Sequence, residues 1–175
     1  MKKTLALLLL PVLFSCKTYM KFNIEDLSKT DTLYKLDLSN RNFKSQPDLS
    51  EFTILDLDLS HNKIAHFEEK KLPKGIYTLN ISHNKLSRNI IIREKRNFKK
   101  LDFSFNKIEV FYYQNGISQN LNLSDNRLKD LQMAQYNKKL ADTLNVANNK
   151  DLETKSWYFP QFYNHLVNYS LSTKN

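Results

Sequence analysis

The chain has 175 residues, 41% hydrophobic and 26% charged, which supports one folded domain and excludes wholesale disorder. Its two glycines, Gly75 and Gly116, exclude collagen-like and glycine-linker architectures and any glycine-rich phosphate loop. The single cysteine, Cys16, excludes an intramolecular disulfide and a cysteine-rich metal site, and the formal charge of +9 has to be weighed after any targeting segment is set aside.

The chain opens with MKKTLALLLLPVLFSC. Lys2 and Lys3 form a basic start, and Leu5 to Phe14 is an apolar run broken at Pro11, too short to span a bilayer as a helix. Residues 1–15 therefore read as a bacterial export signal. By its residues alone the segment also fits an ordinary secretory signal or an amino-terminal anchor with an incidental cysteine. The ending Leu13-Phe14-Ser15-Cys16 resembles the lipobox of bacterial lipoproteins, with Phe14 where a small residue is usual. That resemblance implies cleavage before Cys16, a diacylglyceryl group on its thiol and an acylated new amino terminus. Several acyl chains hold a protein on a membrane durably, where one gives only reversible binding. Under the same resemblance Lys17, standing where an aspartate would signal inner-membrane retention, favours the outer membrane. Without Lys2 and Lys3, the 27 basic and 18 acidic residues leave a charge of about +7.

Residues 16–32 are expected to hold the tether and an amino-terminal cap built on Phe22, Ile24 and Leu27. Six similar segments follow: LYKLDLSNRNF (33–43), ILDLDLSHNKI (54–64), IYTLNISHNKL (76–86), FKKLDFSFNKI (98–108), SQNLNLSDNRL (118–128) and ADTLNVANNKD (141–151). They recur every 20 to 23 residues, the mark of a repeat architecture. Apolar fourth and sixth positions alternate with polar ones, as in strands with one buried face. Leu36/Leu38, Leu57/Leu59, Leu79/Ile81, Leu101/Phe103, Leu121/Leu123 and Leu144/Val146 are thus expected to stack inward. At the ninth position Asn62, Asn84, Asn106, Asn126 and Asn149 supply amides for backbone groups that lose water in the turn; Arg41 stands there in the first copy. Phe43, Ile64, Leu86, Ile108 and Leu128 close each coil at the eleventh position, with Asp151 in the last copy.

The wording resembles the leucine-rich repeat, L-x-x-L-x-L-x-x-N-x-L, over roughly residues 33–152. The expected fold is a leucine-rich repeat solenoid of six coils over 33–155. A parallel β-sheet lines its concave face, and irregular or 3₁₀ segments form the convex side. EFTIL and NIIIREKRNF are candidates for short extended or 3₁₀ pieces there. Three residues past the closing position come Phe67, Phe111 and Leu131, but also Gln46 and Asn89. Stacked coils expose apolar ends that need atypical caps. Residues 156–175 offer an aromatic one with Trp157, Tyr158, Phe159, Phe162, Tyr163, Leu166, Val167 and Tyr169.

Positions three, five, seven and eight are expected on the concave side, the surface on which this family binds partners. The candidate protein-binding residues are Lys35, Asp37, Asp56, Asp58, His61, Thr78, Asn80, His83, Lys100, Asp102, Phe105, Asn122, Asp125 and Asn145. Their acidic excess suits a partner with basic or hydrogen-bonding groups. Asp or Asn at position five and Ser at position seven (Ser39, Ser60, Ser82, Ser104, Ser124) also fit a purely structural role on the sheet. His61 and His83 hold equal positions in adjacent coils, so their rings are expected side by side near Asp58. No further metal ligand is evident, and no metal or cofactor is expected.

The tenth positions add a row of cations, Lys63, Lys85, Lys107, Arg127 and Lys150, which fits either a solvated face or an anion-binding track. A second basic cluster holds Arg88, Arg93, Lys95, Arg96, Lys99 and Lys100. For an exported chain the relevant anions are lipid headgroups, lipopolysaccharide and acidic glycans, not nucleic acid. No G-x-S-x-G or H-E-x-x-H is present, and some twenty residues beyond the repeats leave no room for a catalytic domain. The sequence thus points to non-catalytic recognition, with a structural envelope component binding nothing specific as the alternative.

Overall fold

The computed structural model describes residues 24–114, 116–133, 141–152 and 168–170. The segment read as an export signal, Cys16 and the aromatic residues at 157–167 lie outside them. Strands β1 (Thr32–Asp37), β2 (Thr53–Asp58), β3 (Thr78–Asn80), β5 (Arg96–Asp102), β7 (Gly116–Asn122), β9 (Ala141–Asn145) and β10 (Asn168–Ser170) form one sheet in that order. Strands β4 (Ser87–Ile92), β6 (Lys107–Tyr113) and β8 (Asp130–Met133) form a second. Every pairing in both sheets is parallel. The fold is a parallel β-solenoid, as the repeat period requires. Among the described residues no helix is long and apolar enough to cross a membrane.

The register follows the repeats. Leu36, Leu57, Leu79, Leu101, Leu121 and Leu144 face one another across six strands. With the sixth-position residues Leu38, Leu59, Ile81, Phe103, Leu123 and Val146 they fill the core. Removing each such side chain from water contributes roughly 1.5–3 kcal/mol. Ile24, Leu27 and Leu33 pack partly buried against the first coil.

The ninth-position asparagines form a second buried column. Asn84 shows the pattern. Its Oδ1 accepts from Ile64 N at 3.0 Å, and its Nδ2 donates to Leu59 O, Ile81 O and Ser82 O at 2.9–3.1 Å. Asn62, Asn106, Asn126 and Asn149 repeat this, each reaching a carbonyl and an N–H of the preceding coil. Asn62 serves both Arg41 N and Phe43 N, so the first copy needs no asparagine of its own on that side.

On the back of the coils residues 89–92 are extended, as expected of NIIIREKRNF. The end of that run and the end of EFTIL instead enter the seven-stranded sheet, in β5 and β2. The later returns form the regular sheet β4-β6-β8, whereas the earlier ones include one 3₁₀ turn, Glu69–Lys71. Runs of β-branched and aromatic residues, Ile90-Ile91-Ile92 and Val110-Phe111-Tyr112-Tyr113, favour the extended chain there. A bulge at Arg88/Asn89, with Arg88 at φ 63, sets Ile90 rather than Asn89 against Phe111. The polar residue at position 89 is thereby turned out to solvent while Ile90 and Ile92 are buried. Gln46 stays inside. Its Nε2 donates to Glu68 O at 3.0 Å and its Oε1 accepts from Glu68 N at 2.9 Å, a turn-bridging amide like those of the asparagine column.

The segment read as the carboxy-terminal cap holds a seventh strand. Asn168, Tyr169 and Ser170 pair with Thr143, Leu144 and Asn145. Tyr169 therefore takes the leucine register, 25 residues after Leu144.

Candidate functional site

The face of the seven-stranded sheet turned away from the core carries two rows across β1, β2, β3, β5, β7 and β9. Position three gives Lys35, Asp56, Thr78, Lys100, Asn120 and Thr143; position five gives Asp37, Asp58, Asn80, Asp102, Asn122 and Asn145. The position-five row is largely occupied with itself. Each Oδ1 accepts the backbone N–H two residues on, at 2.8–3.2 Å. Asn80 Nδ2 also donates to Asp58 Oδ2, and Asn122 Nδ2 to Asp102 Oδ1, both at 3.2 Å. Setting an amide between two carboxylates replaces like-charge repulsion with a hydrogen bond. These side chains hold the strand ends in place before they hold any ligand.

Their charges respond accordingly. Partial burial pushes the Asp37 carboxyl up, but the Ser39 N–H and hydroxyl, with Lys35 and Arg41, together hold it below the ordinary carboxylate value. For Asp56, burial and the neighbouring Asp58 outweigh Lys35 and Lys100 and raise it. The position-seven serines are not on the open face, where the alternation would place them. Ser60, Ser82, Ser104 and Ser124 are buried under the turn, because the chain has already curved inward there.

Beside the exposed Lys35, Asp37, Lys100 and Asn120, this side and its adjoining turn expose three aromatic residues. Tyr34, Tyr77 and Phe105 are 66%, 40% and 48% accessible, the exposed large hydrophobic residues among those described. Tyr34 and Tyr77 stand at position two, which strict alternation would turn inward. The ladder skips that position in β1–β2, β5–β7 and β7–β9. Tyr77 N donates to Leu55 O at 3.0 Å, and both Lys99 N and Lys100 N donate to Tyr77 O. This irregularity turns the position-two side chains of successive coils, Tyr34, Leu55 and Tyr77, out of the core. The signal was in the wording LYK, ILD and IYT, but a period of two could not reveal it.

Position eight lies past the strands, in the turn. Asn40, His61, His83, Phe105, Asp125 and Asn148 all have φ between 53 and 59. Asn and Asp tolerate this left-handed conformation; a bulky ring there costs energy. His61 stacks on His83, and His83 on Phe105, with centroids 4.2 Å apart in both pairs and planes within 10°. Asn148 Nδ2 donates to Asp125 Oδ1 at 2.8 Å, continuing the column. The inner ring faces are covered by their neighbours, so the stack presents ring edges to solvent. Among the described residues no group of three or more His, Cys, Asp or Glu is placed to hold a metal ion.

Two residues on, Lys63, Lys85, Lys107, Arg127 and Lys150 are all exposed. Their spacing is set by the backbone. Lys63, Lys85, Lys107 and Arg127 each donate an N–H to the eleventh residue of the preceding coil, at 2.7–2.9 Å. The row runs into an open cleft of about 510 Å³ lined by Glu109, Asn126, Arg127, Lys129, Asn148, Lys150 and Asp151. The second basic cluster is more internally engaged: Arg96 pairs with Glu94 and donates to Pro73 O, and Lys100 lies 3.9 Å from Asp102.

Set beside protein-family models, curated proteins and solved structures, nothing matches this chain.

Proposed function

We propose that the chain is a non-catalytic leucine-rich repeat lipoprotein of the bacterial envelope. In this reading it is held on a membrane, the outer one for preference, by acylated Cys16, and it binds a protein partner on the open sheet face. The observation that carries the binding proposal is the exposure of Tyr34 and Tyr77 beside the position-three residues of a sheet that no described layer covers, with Phe105 exposed in the adjoining turn. Tyrosine anchors combine large contact area with a hydroxyl at little entropic cost. Lys35, Asp56, Thr78 and Lys100 add polar contacts beside them. Asp58, Asn80, Asp102, Asn122 and Asn145 serve chiefly to fix that surface.

The test uses protein displayed in its native envelope with a photo-crosslinking residue at position 56. The expected result is one dominant adduct that Tyr34→Ser with Tyr77→Ser abolishes and Lys63→Gln leaves intact. No adduct, or one indifferent to the tyrosines, leaves a structural envelope component as the better description. Anchoring is checked separately. Cys16→Ala is expected to move the protein from the membrane to the soluble fraction and to end acyl labelling; persistent labelling refutes it.

A further inference from the structure

Some basic residues of the protein lie against a carboxylate. Others, Lys44, Lys74 and Lys99 as well as the tenth-position cations, have none within salt-bridge distance among the described residues. What sets the tenth-position cations apart is their alignment, one per coil. Lys70 and Lys71 lie against Glu68, Arg96 against Glu94, Lys100 against Asp102 and Lys129 against Glu109. Among the described residues, Lys63, Lys85, Lys107, Arg127 and Lys150 have no carboxylate within salt-bridge distance. The backbone ladder sets them one per coil, so at about 4.8 Å between strands five of them span about 19 Å. Like charges stacked at that interval repel one another. The fold therefore lines up like charges one per coil.

We infer that this row, with the cleft at its end, is a binding track for a linear acidic polysaccharide. A single line of charge engages a chain; a membrane surface would draw on a two-dimensional patch. The stacked rings of His61, His83 and Phe105 lie in the same turns as the first three cations. His83 is covered on both faces and His61 and Phe105 on one each, which reduces the ring platforms that single-stranded nucleic acid would use. The cleft favours sugars for a further reason. Beside Arg127 and Lys150 it carries Glu109, Asp151 and Asn148, acceptors that suit hydroxyl groups and would repel a chain made only of anions. An acidic glycan brings both carboxylates for the row and hydroxyls for the cleft.

The probe is a linear polyuronate, polygalacturonate, titrated into the purified protein. Binding is expected to weaken about tenfold as salt rises from low to physiological strength and beyond. The fully methyl-esterified polymer, with the same backbone and no charge, should bind no better than a neutral glucan. Lys63→Gln, Lys85→Gln and Lys107→Gln together should lower affinity about tenfold or more, with an unchanged thermal melting curve. Removing three exposed lysines elsewhere, Lys44→Gln, Lys74→Gln and Lys99→Gln, should cost much less. Equal loss in both triple variants overturns the track in favour of net charge alone. Polyglutamate or a single-stranded oligonucleotide binding as tightly as the polyuronate overturns the assignment to a glycan. Tyr34→Ser with Tyr77→Ser should leave polyuronate binding unaltered, which separates this site from the open face.

Discussion

Positions eight and nine of each coil are neighbours in the chain and opposites in environment. At position nine Asn62, Asn84, Asn106 and Asn126 are buried and Asn149 half-buried, and each serves backbone groups of two coils at once. At position eight the residues vary from Asn to His to Phe to Asp. They sit in a left-handed turn that bulky side chains disfavour, and their rings meet solvent. A buried column tolerates one solution, because every lost hydrogen bond there is uncompensated. An exposed column tolerates many, so a costly choice such as Phe105 at φ 53 points to a demand other than folding.

That contrast can be broken, beginning with its largest effect. Phe103→Ala removes a fully buried ring packed between Phe67 and Phe111 and should cost roughly 3–5 kcal/mol in urea titration. Asn84→Ala strands one N–H and loses three amide donations in the interior. The expected loss is about 3 kcal/mol or more, measured the same way; its neighbour His83→Ala should lose less than half as much. Should both substitutions cost the same, the distinction between the two columns has no energetic content. Gln46→Ala tests whether the back of the first coils uses the same device, with about 1–3 kcal/mol expected. Phe105→Asn relieves the left-handed strain while losing one ring contact. The two effects offset, so stability should change by about 1 kcal/mol at most. A large destabilisation would make Phe105 a structural residue after all.

The smallest effect belongs to Asp56. Its folded value is raised, by burial first and by Asp58 next. The folded protein therefore holds that proton more tightly than the unfolded chain. The resulting stability penalty is present at neutral pH and disappears as pH falls below the ordinary carboxylate value. Asp56→Asn should raise the melting temperature slightly at pH 7 and leave it unchanged in strong acid. An equal shift at both pH values would sever the link to ionisation.

Much of this was legible from residues 33–151. The leucine pairs, the asparagines and the closing residues each recur at one offset in the repeat, and a parallel stack is the arrangement that brings equal offsets together. The candidate site was legible in part. Lys35, Asp56, Thr78 and Lys100 lie on the open face as the alternation implies, and the tenth-position cations line up. Position two had no assigned direction, and a skipped rung there leaves Tyr34 and Tyr77 exposed. The alternation erred at position seven, where Ser60, Ser82, Ser104 and Ser124 are enclosed. The strand at 168–170 was hidden within an aromatic stretch whose composition suggested a cap.

The sequence by itself determined the length of a coil, the side chains that face inward and the amides that satisfy the turn. Those depend on residues close together along the chain, repeated with little change. Tertiary structure alone decided that the later returns zip into a second sheet, that Gln46 finds Glu68, and that Asn80 donates to Asp58. These outcomes depend on which residue of one coil comes to lie against which residue of the next. That register is set by close packing of the whole stack, and a single bulge, as at Arg88/Asn89, is enough to change it.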